Sequence, residues 1–503
     1  MKNLAHKNIL ILGLGASGLA MARWCVRCGA QVTVADTRPA PPQLAALQTS
    51  VPAARFVNAA MDKALLAGAG FDIVLKSPGL SPASVSGVIT AALAHAIPCG
   101  NELSLFAQAL TDLKSDRAYS PKVIGITGTN GKTTVTSLAG QIIRRAGKSV
   151  AVAGNIGPNL LDTLTEKLDQ QLDDEAQVLP EVWVLELSSF QLDGVSNFDP
   201  TVATVLNISQ DHLDWHETLP AYIAAKANVY GSSGVMLLNR DDPLVMAALP
   251  GLVKGKQARS YTTFGGDEPR RPGDYGIETV NGMAWLTRAV EADDANRRRK
   301  ADEPPLHIQR LMPLQALRLH GRHNATNALA GVALAVAVGC PLAPLLHGLR
   351  DYRGEPHRVE SIAVLDGVEY FDDSKGTNVG ATVAALAGLG AERKLVLILG
   401  GDGKGQDFSS LAEPVSRYVR AVVLMGRDAP VIKAALQGVQ APLMDAVSMH
   451  EAVSLAARQA RCGDAVLMSP ACASFDMFDN YEHRAQAFCD AVHGLAQETG
   501  AVL

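Results

Sequence analysis

The sequence predicts three consecutive α/β domains, and three observations lead to that prediction. The chain has 503 residues, which is more than one hydrophobic core usually serves. Apolar runs of strand length alternate with helical segments, a pattern typical of parallel sheets covered by helices. Two glycine-rich turns each follow such a strand and open a helix. We expect the domains to span residues 1–110, 111–355 and 356–503.

The composition narrows the class of protein. Apolar residues make up 48% of the chain and charged residues 19%, as in well-packed globular proteins. With a net charge of −5, the chain lacks the excess of basic residues that is typical of nucleic-acid-binding proteins. Seven cysteines, scattered and odd in number, argue for a reducing compartment. The apolar run at 8–14 enters a glycine turn and reads as a strand rather than a secretory signal, so we expect a cytoplasmic protein.

The first domain opens with strands predicted at 9–12, 31–35 and 72–76 and a helix at 18–28. Between the first strand and the helix lies Gly13-Leu14-Gly15-Ala16-Ser17-Gly18, and Asp36 ends the next strand. This arrangement is typical of a Rossmann-like domain that holds a diphosphate at a helix N-terminus. Asp36, Thr37 and Arg38 suit a ribose or a nucleobase edge. An NAD-dependent dehydrogenase and a nucleoside diphosphate-sugar binder both remain open from this loop.

The second domain begins after a polar stretch at 113–121, which we interpret as a linker. The loop Gly128-Thr129-Asn130-Gly131-Lys132-Thr133-Thr134 follows an apolar strand and precedes a helix. Small residues let backbone amides converge on phosphate oxygens, Lys132 can reach the outer phosphates, and the Thr133 hydroxyl can bind Mg²⁺. The sequence therefore predicts an ATP site in a P-loop ATPase-type domain.

Three further residues are expected beside this loop. Strands are predicted at 149–153, 182–187, 202–207 and 234–238. Glu186 and His212 each follow one of them, so both should emerge at the sheet edge that carries the phosphate loop. Glu186 and His212 could supply the carboxylate and the neutral donor that a hard cation between phosphates needs, and Lys226 is expected close to them.

The third domain is a second Rossmann-like unit, with strands predicted at 370–372, 394–399, 421–425 and 465–468. The uncharged stretch at 324–346 is interrupted by Pro341 and Pro344, so it predicts a buried helix ending near Gly339 rather than a membrane span. Residues 166–177 and 291–305 are rich in polar and charged side chains and read as surface insertions.

Several motifs resemble the Mur ligases, ATP-dependent amide-forming enzymes of bacterial cell-wall precursor synthesis. They are Thr-Gly-Thr-Asn-Gly-Lys-Thr-Thr at 127–134, Glu-Leu-Ser-Ser-Phe-Gln-Leu at 186–192, Asn-Ile-Ser-Gln-Asp-His-Leu-Asp at 207–214, and His-Asn-Ala-Thr-Asn-Ala at 323–328. Segments at 77–82, 372–378, 400–405 and 467–476 resemble the members that add D-glutamate. The resemblance implies that ATP activates UDP-N-acetylmuramoyl-L-alanine as an acyl phosphate, which D-glutamate then attacks.

The resemblance also implies roles for individual residues. Catalysis is assigned to Lys132, Lys226, His212 and Glu186. The UDP substrate is assigned to Gly13, Gly15, Ala16, Ser17, Gly18, Asp36, Thr37, Arg38, Gly79, Asn155 and His212. ATP is assigned to Gly128, Thr129, Asn130, Gly131, Lys132, Thr133, Thr134, Asn327, Arg358 and Asp373. Two Mg²⁺ ions are assigned to Thr133, Glu186, His212 and Lys226, with Lys226 carbamylated. D-glutamate is assigned to Thr377, Lys404, Ser474 and Phe475.

Two alternatives stand beside this interpretation. Another Mur-type or folylpolyglutamate-type ligase would share the phosphate loop, although the folate enzyme does not resemble the N-terminal segment. An NAD-dependent dehydrogenase would leave everything after residue 120 unexplained. We expect a monomer acting on small molecules, with no nucleic-acid partner and no membrane span.

Overall fold

A computed structural model describes residues 2–68, 70–173, 179–292, 306–319, 321–391 and 393–499. Within these ranges, three sheets built mainly of parallel strands follow one another along the chain. Each sheet has helices on its faces, so the predicted α/β class is confirmed. Among the described helices, none is both long enough and apolar enough to cross a lipid bilayer.

The first sheet has five parallel strands in the order β3-β2-β1-β4-β5. Strands β2 and β3 lie on one side of β1, and β4 and β5 lie on the other side. A crevice therefore opens between the carboxyl ends of β1 and β4, which is where doubly wound sheets bind ligands. The elements are β1 (Asn8–Leu12), α1 (Ala16–Arg27), β2 (Gln31–Asp36), α2 (Leu44–Ser50), β3 (Arg55–Asn58), β4 (Ile73–Lys76), α3 (Pro82–Ala94), β5 (Cys99–Gly100) and α4 (Glu102–Arg117).

The stretch at 113–121, predicted as a linker, is helical in its first half. Helix α4 continues to Arg117 because Leu113 is buried on its inner face, and Ala118 ends it in a left-handed conformation. Only the four residues from Ala118 to Pro121 connect the two domains.

The second sheet has six parallel strands in the order β11-β10-β9-β6-β8-β7. Its first part consists of β6 (Lys122–Thr127), α5 (Lys132–Arg145), β7 (Val150–Gly154), α6 (Leu160–Asp173), β8 (Val182–Glu186), α7 (Ser189–Leu192) and β9 (Val202–Val205). It continues with α8 (Leu213–His216), α9 (Leu219–Ala227), β10 (Val235–Asn239), α10 (Pro243–Met246) and β11 (Tyr261–Phe264).

An antiparallel sheet follows, which the sequence did not predict. It contains β12 (Tyr275–Val280), β13 (Met283–Glu291) and β14 (Leu306–Pro313). Helices α11 (Arg322–Ala337) and α12 (Leu342–Asp351) then pack against α5, and α11 ends two residues before Gly339. Of the two predicted insertions, 166–173 belongs to helix α6, whereas 174–177 and 293–305 lie outside the described residues.

The third sheet has the order β15-β16-β20-β17-β18-β19, with only β15 antiparallel to its neighbour. Apolar clusters cover both of its faces. The elements are β15 (Glu360–Leu365), β16 (Val368–Asp372), α13 (Val379–Gly390), β17 (Leu395–Gly400), α14 (Ala412–Tyr418), β18 (Val419–Met425), α15 (Ala429–Ala435), β19 (Leu443–Asp445), α16 (Met449–Gln459), β20 (Ala465–Met468) and α17 (Tyr481–Thr499).

Candidate active site

The phosphate loop joins β6 to α5 in a conformation that depends on glycine. Gly128 and Gly131 have φ angles of 154° and 81°, which favour glycine over other residues. A Cβ on Gly131 would lie 2.9 Å from Asn327 Oδ1, so helix α11 approaches the loop closely. The Asn207 carbonyl and side-chain oxygens accept hydrogen bonds from the amides of Thr129 and Asn130, at 2.9 and 2.8 Å. The segment just after β9, the strand next to β6 in the sheet, therefore holds the phosphate loop in place.

Lys132, the first residue of α5, lies over this loop. Its Nζ donates to the carbonyl oxygens of Gly128 and Thr129, both at 2.9 Å. Burial lowers the pKa of Lys132, and the nearby Glu186 carboxylate opposes that shift. The ammonium is thus held at the place where loop amides would bind phosphate oxygens.

Glu186 ends β8 and is 1% exposed. Its Oε1 accepts a hydrogen bond from Asn155 Nδ2 at 2.8 Å, whereas Oε2 has no hydrogen-bond partner among the described residues. A buried carboxylate oxygen without a partner is costly unless a cation binds it. This oxygen beside a phosphate loop fits Mg²⁺, which prefers carboxylate ligands.

Lys226 and His212 lie near the same loop. Lys226 is 2% exposed, and its Nζ donates to the Gly128 carbonyl at 2.8 Å. Burial and the neighbouring Lys132 hold the pKa of Lys226 well below its usual value. Burial also lowers the pKa of His212, whose Nε2 lies 3.6 Å from Asp211 Oδ2. A neutral imidazole is the form that binds a metal ion.

The third domain completes the ATP end of the site. Arg358 Nη2 donates to Thr133 Oγ1 at 2.9 Å, and Asn378 Nδ2 donates to Asn130 Oδ1 at 3.1 Å. A cavity of about 210 Å³ lies between the two domains, and Asn327, Arg358 and Asp373 are among its lining residues. Burial raises the pKa of Asp373 to about 7. The structure thus brings together all the residues that the sequence assigned to ATP.

The N-terminal glycine loop, which the sequence predicts to bind a diphosphate, joins β1 to α1 in the first domain. A Cβ on Gly18 would lie 2.1 Å from the Gly13 carbonyl oxygen, so only glycine allows α1 to begin this close to β1. Asp36 accepts from the Leu14 amide at 2.8 Å and from the Arg38 guanidinium at 2.9 and 2.8 Å. Hydrogen bonds from Arg38 lower the pKa of Asp36 to about 2. The 3% exposed carboxylate therefore braces the loop, and the Arg38 side chain is its exposed partner.

The residues assigned to D-glutamate occupy loops at the carboxyl edge of the third sheet. Ser474 is 3% exposed and Phe475 is 71% exposed. Lys404 has a φ of 50° and lies close enough to His212 to lower the pKa of that imidazole. A second aromatic residue, Tyr481, lies beside Lys375, whose Nζ is 5.0 Å from the centroid of the Tyr481 ring.

Several side chains at this site received no role from the sequence. Asp211 acts electrostatically on both Lys132 and Lys226, and Lys375 and Asn378 line the approach from the third domain. All three lie inside quoted motifs, at 207–214 and 372–378, next to residues that were assigned. Their position within these motifs is the sequence signal that could have identified them as site residues.

Comparison with protein families agrees with this geometry. Residues 7–100 match the model of the Mur ligase MurD-like N-terminal domain. Residues 126–335 match the Mur ligase middle domain, and residues 357–472 match the Mur ligase glutamate ligase domain.

Individual relatives match over the whole chain. UDP-N-acetylmuramoylalanine–D-glutamate ligase of Albidiferax ferrireducens is 64% identical, over 100% of this chain and 99% of the relative. The enzyme of the same name from a Polaromonas species is 57% identical over 100% of both chains. The crystal structure of MurF ligase from Thermotoga maritima in complex with ADP shares the fold, with a TM-score of 0.56 at 15% identity, over 98% of this chain and 97% of that one. These relationships decide against the dehydrogenase alternative, and the chain belongs to the Mur ligase family.

Proposed function

We propose that this Mur ligase joins D-glutamate to UDP-N-acetylmuramoyl-L-alanine at the expense of ATP. Full-length relatives at 64% and 57% identity carry the name of this activity. The structural observation that supports it is the convergence of Lys132, Glu186 and Lys226 on one phosphate loop, with Arg358 reaching in from the third domain. The chemistry is ATP-dependent amide-bond formation in peptidoglycan synthesis.

ATP, the alanyl carboxylate and D-glutamate are all anionic, so electrostatic repulsion opposes bringing them together. The alanyl carboxylate must attack the γ-phosphate of ATP to give an acyl phosphate and ADP. Backbone amides of residues 128–131, the N-terminus of α5 and the Lys132 ammonium stabilise the charge that spreads over the phosphate oxygens. Thr133, Glu186, His212 and carbamylated Lys226 would hold two Mg²⁺ ions, which neutralise phosphate charge when bound.

Lys226 fits carbamylation because its amine is buried and its pKa is strongly lowered. Carbamate forms from a neutral amine and CO₂, and a depressed pKa supplies that amine near neutral pH. The product places an anion beside the Lys132 ammonium, where a protonated Lys226 would be repelled. It also turns a group repelled by Mg²⁺ into an oxygen ligand.

The amine of D-glutamate then attacks the acyl phosphate, and phosphate leaves. Lys404 and Ser474, with Thr377 and Phe475, would bind the amino acid on the third domain. Contacts from Arg358 and Asn378 to the phosphate loop support an arrangement in which this domain covers the reacting groups and limits hydrolysis.

We further infer roles for the three domains and for the whole chain. The first domain, which ends with α4 at Arg117, binds the UDP substrate, the central domain binds ATP, and the third domain binds D-glutamate. Residues 13–18, Asp36, Thr37 and Arg38 hold the UDP moiety, while Gly79, Asn155 and His212 contact the sugar-peptide part. Asn327 contacts adenine, and Arg358 and Asp373 position ATP. The enzyme works as a cytoplasmic monomer.

The decisive experiment measures phosphate release from ATP with UDP-N-acetylmuramoyl-L-alanine and one amino acid at a time. D-glutamate should support turnover, and L-glutamate should fail by orders of magnitude because inversion turns either the amine or the γ-carboxylate away from its partner. D-aspartate is one methylene shorter and should bind poorly, since it leaves buried donors unpaired. Preference for L-lysine or meso-diaminopimelate would refute the D-glutamate assignment while preserving the ligase chemistry.

A further inference from the structure

Three loops meet at the carboxyl edge of the third sheet, and two of them carry residues assigned to D-glutamate. They follow the adjacent strands β20, β17 and β18, and they include residues 470–476, 401–405 and 426–428. A Cβ on Gly401 would lie 2.2 Å from the Ala473 carbonyl oxygen, and a Cβ on Gly426 would lie 2.8 Å from Gly401 Cα. The backbones of the three loops are therefore in contact, so a side chain in one loop can fix the position of a residue in another.

Asp402 makes hydrogen bonds to all three of these loops. Its amide donates to the Ala473 carbonyl, and its carbonyl accepts from the Ala473 amide, both at 2.9 Å and directly before Ser474. Its Oδ1 accepts from the Lys404 amide at 3.1 Å, and its Oδ2 accepts from Arg427 Nη1, also at 3.1 Å. Asp402 therefore joins the loop that carries Lys404 to the loop that carries Ser474.

The backbone of Lys404 depends on this aspartate. Lys404 has a φ of 50°, in the left-handed region that residues other than glycine, asparagine and aspartate rarely adopt. The Asp402 side chain stabilises that conformation, because an aspartate oxygen that accepts the amide two residues further on closes a turn. The turn fixes the backbone from which the Lys404 side chain extends, beside the loop of Ser474.

The Asp402 carboxylate also has an electrostatic cost, because D-glutamate carries two carboxylates of its own. Arg427 offsets this charge through the ion pair at 3.1 Å. Two further carboxylates, of Asp428 and Asp476, accept the amides of Gly403 and Arg427 at 2.6 and 2.8 Å. Loss of the Arg427 guanidinium would therefore leave this edge of the sheet strongly negative.

We propose that Asp402 and Arg427 are a positioning pair for D-glutamate. Asp402 holds Lys404 in place, and Arg427 cancels the negative charge that would otherwise repel the amino acid. The pair acts through Lys404 and through its balance of charge, and neither side chain contacts the substrate. The inference rests on the proposed function, which places D-glutamate beside Lys404.

Steady-state kinetics with UDP-N-acetylmuramoyl-L-alanine, ATP and varied D-glutamate test the balance of charge. Arg427→Gln leaves Asp402 unpaired and should raise the KM for D-glutamate by about 5- to 30-fold, and added salt should reduce that rise by screening. Adding Asp402→Asn to this variant should recover most of the loss, because asparagine keeps an acceptor for the Lys404 amide and carries no charge. A double variant as impaired as Arg427→Gln would mean that Arg427 binds the amino acid directly, which would overturn the proposal.

Arg417→Gln is the matched control for the loss of one positive charge on the third domain. Arg417 is 67% exposed and lies on α14, before the amino end of β18, whereas Arg427 follows the carboxyl end of that strand. The KM for D-glutamate should be unchanged in Arg417→Gln. A rise equal to that of Arg427→Gln would mean that net charge alone is responsible, which would overturn the role of the pair.

A second pair of substitutions tests whether Asp402 acts through Lys404. Asp402→Ala removes the acceptor of the Lys404 amide and should raise the KM for D-glutamate by about 3- to 10-fold, with little change in the KM for ATP. In a Lys404→Ala background the side chain that the turn positions is absent, so Asp402→Ala should add less than about twofold. Fully additive losses, or an equal rise in the KM for ATP, would overturn the positioning role. A wild type that shows no turnover with D-glutamate would instead refute the proposed function.

Discussion

At the scale of single residues, a substitution of Lys132 tests the proposal that the loop at 128–134 binds the phosphates of ATP. Lys132→Ala removes the ammonium that lies over the loop carbonyls and should lower kcat by at least ~10³-fold, since it deletes a contact to the transferring phosphate. Binding of the UDP substrate, measured by titration calorimetry, should be retained because we propose that residues 13–18, on another domain, bind that substrate. A parallel collapse of UDP-substrate affinity in a folded variant would contradict the division of roles between the domains.

Lys226 tests the proposed carbamate. Lys226→Ala should be nearly inactive and should regain part of its turnover when short carboxylic acids are added, since these can occupy the position of the carbamate oxygens. Lys226→Arg should stay inactive under the same conditions, because a guanidinium cannot become an anion. Steady-state rates with and without added acetate provide the measurement. Wild-type turnover by the arginine variant would rule out a required carbamate.

At the scale of elements, the N-terminal glycine loop offers a matched pair of substitutions. A Cβ on Gly18 would meet the Gly13 carbonyl oxygen at 2.1 Å, whereas a Cβ on Gly15 meets no atom within 4 Å. Gly18→Ala should therefore lower the melting temperature and weaken UDP-substrate binding together. Gly15→Ala should leave the melting temperature near that of the wild type but raise the Kd, because the diphosphate would occupy the open space. Unchanged affinity in a stable Gly15→Ala would place the diphosphate elsewhere.

The elements also show which parts of the fold can be predicted from sequence. The buried central strands were predicted to within one or two residues at most ends, as for β8 (Val182–Glu186), because continuous apolar runs end in glycine or polar turns. The sequence did not predict the edge strands β3, β5, β11, β15 and β19. The antiparallel strands β12 to β14 were missed, since exposed and buried positions do not alternate regularly in them. The helical half of 113–121 was missed because its polar residues face solvent and Leu113 alone is buried.

The site was predictable for a different reason. Glu186 ends β8, and Lys132 begins the helix that follows the adjacent strand β6, so the order of strands in the sheet brings the two residues together. Residues on different domains, such as Arg358 and Thr133, meet only because the domains pack against each other. For those residues, the family resemblance predicted the role, since local sequence pattern does not encode domain packing. Glu102, the first residue of α4, is buried and accepts a hydrogen bond from the Leu161 amide of the central domain, a contact that no local pattern encodes.

At the scale of the whole molecule, polar contacts connect the first domain to the central one. Lys76 Nζ, at the end of β4, lies 2.9 Å from Asp193 Oδ2 and 4.9 Å from the centroid of the Trp215 ring. Asn101 Nδ2 donates to the Gln191 carbonyl at 2.9 Å nearby. Lys76 precedes the Ser77–Gly79 turn, and Trp215 lies three residues beyond His212. The ion pair therefore connects the two domains beside Gly79 and His212, which we propose contact the UDP substrate.

Breaking this pair should loosen the alignment of the two domains without touching the ATP site. The side chains are 11% and 31% exposed, so solvent screens them only partly, and a loss of ~1–2 kcal/mol is expected. Lys76→Met and Asp193→Asn should each raise the KM for the UDP substrate by about 5- to 30-fold, with little change in the KM for ATP. The charge-swapped double variant, Lys76→Asp with Asp193→Lys, should recover part of that loss. If Lys76→Met alone raises the KM and Asp193→Asn does not, Lys76 binds the substrate directly, and the ion pair is not what aligns the domains.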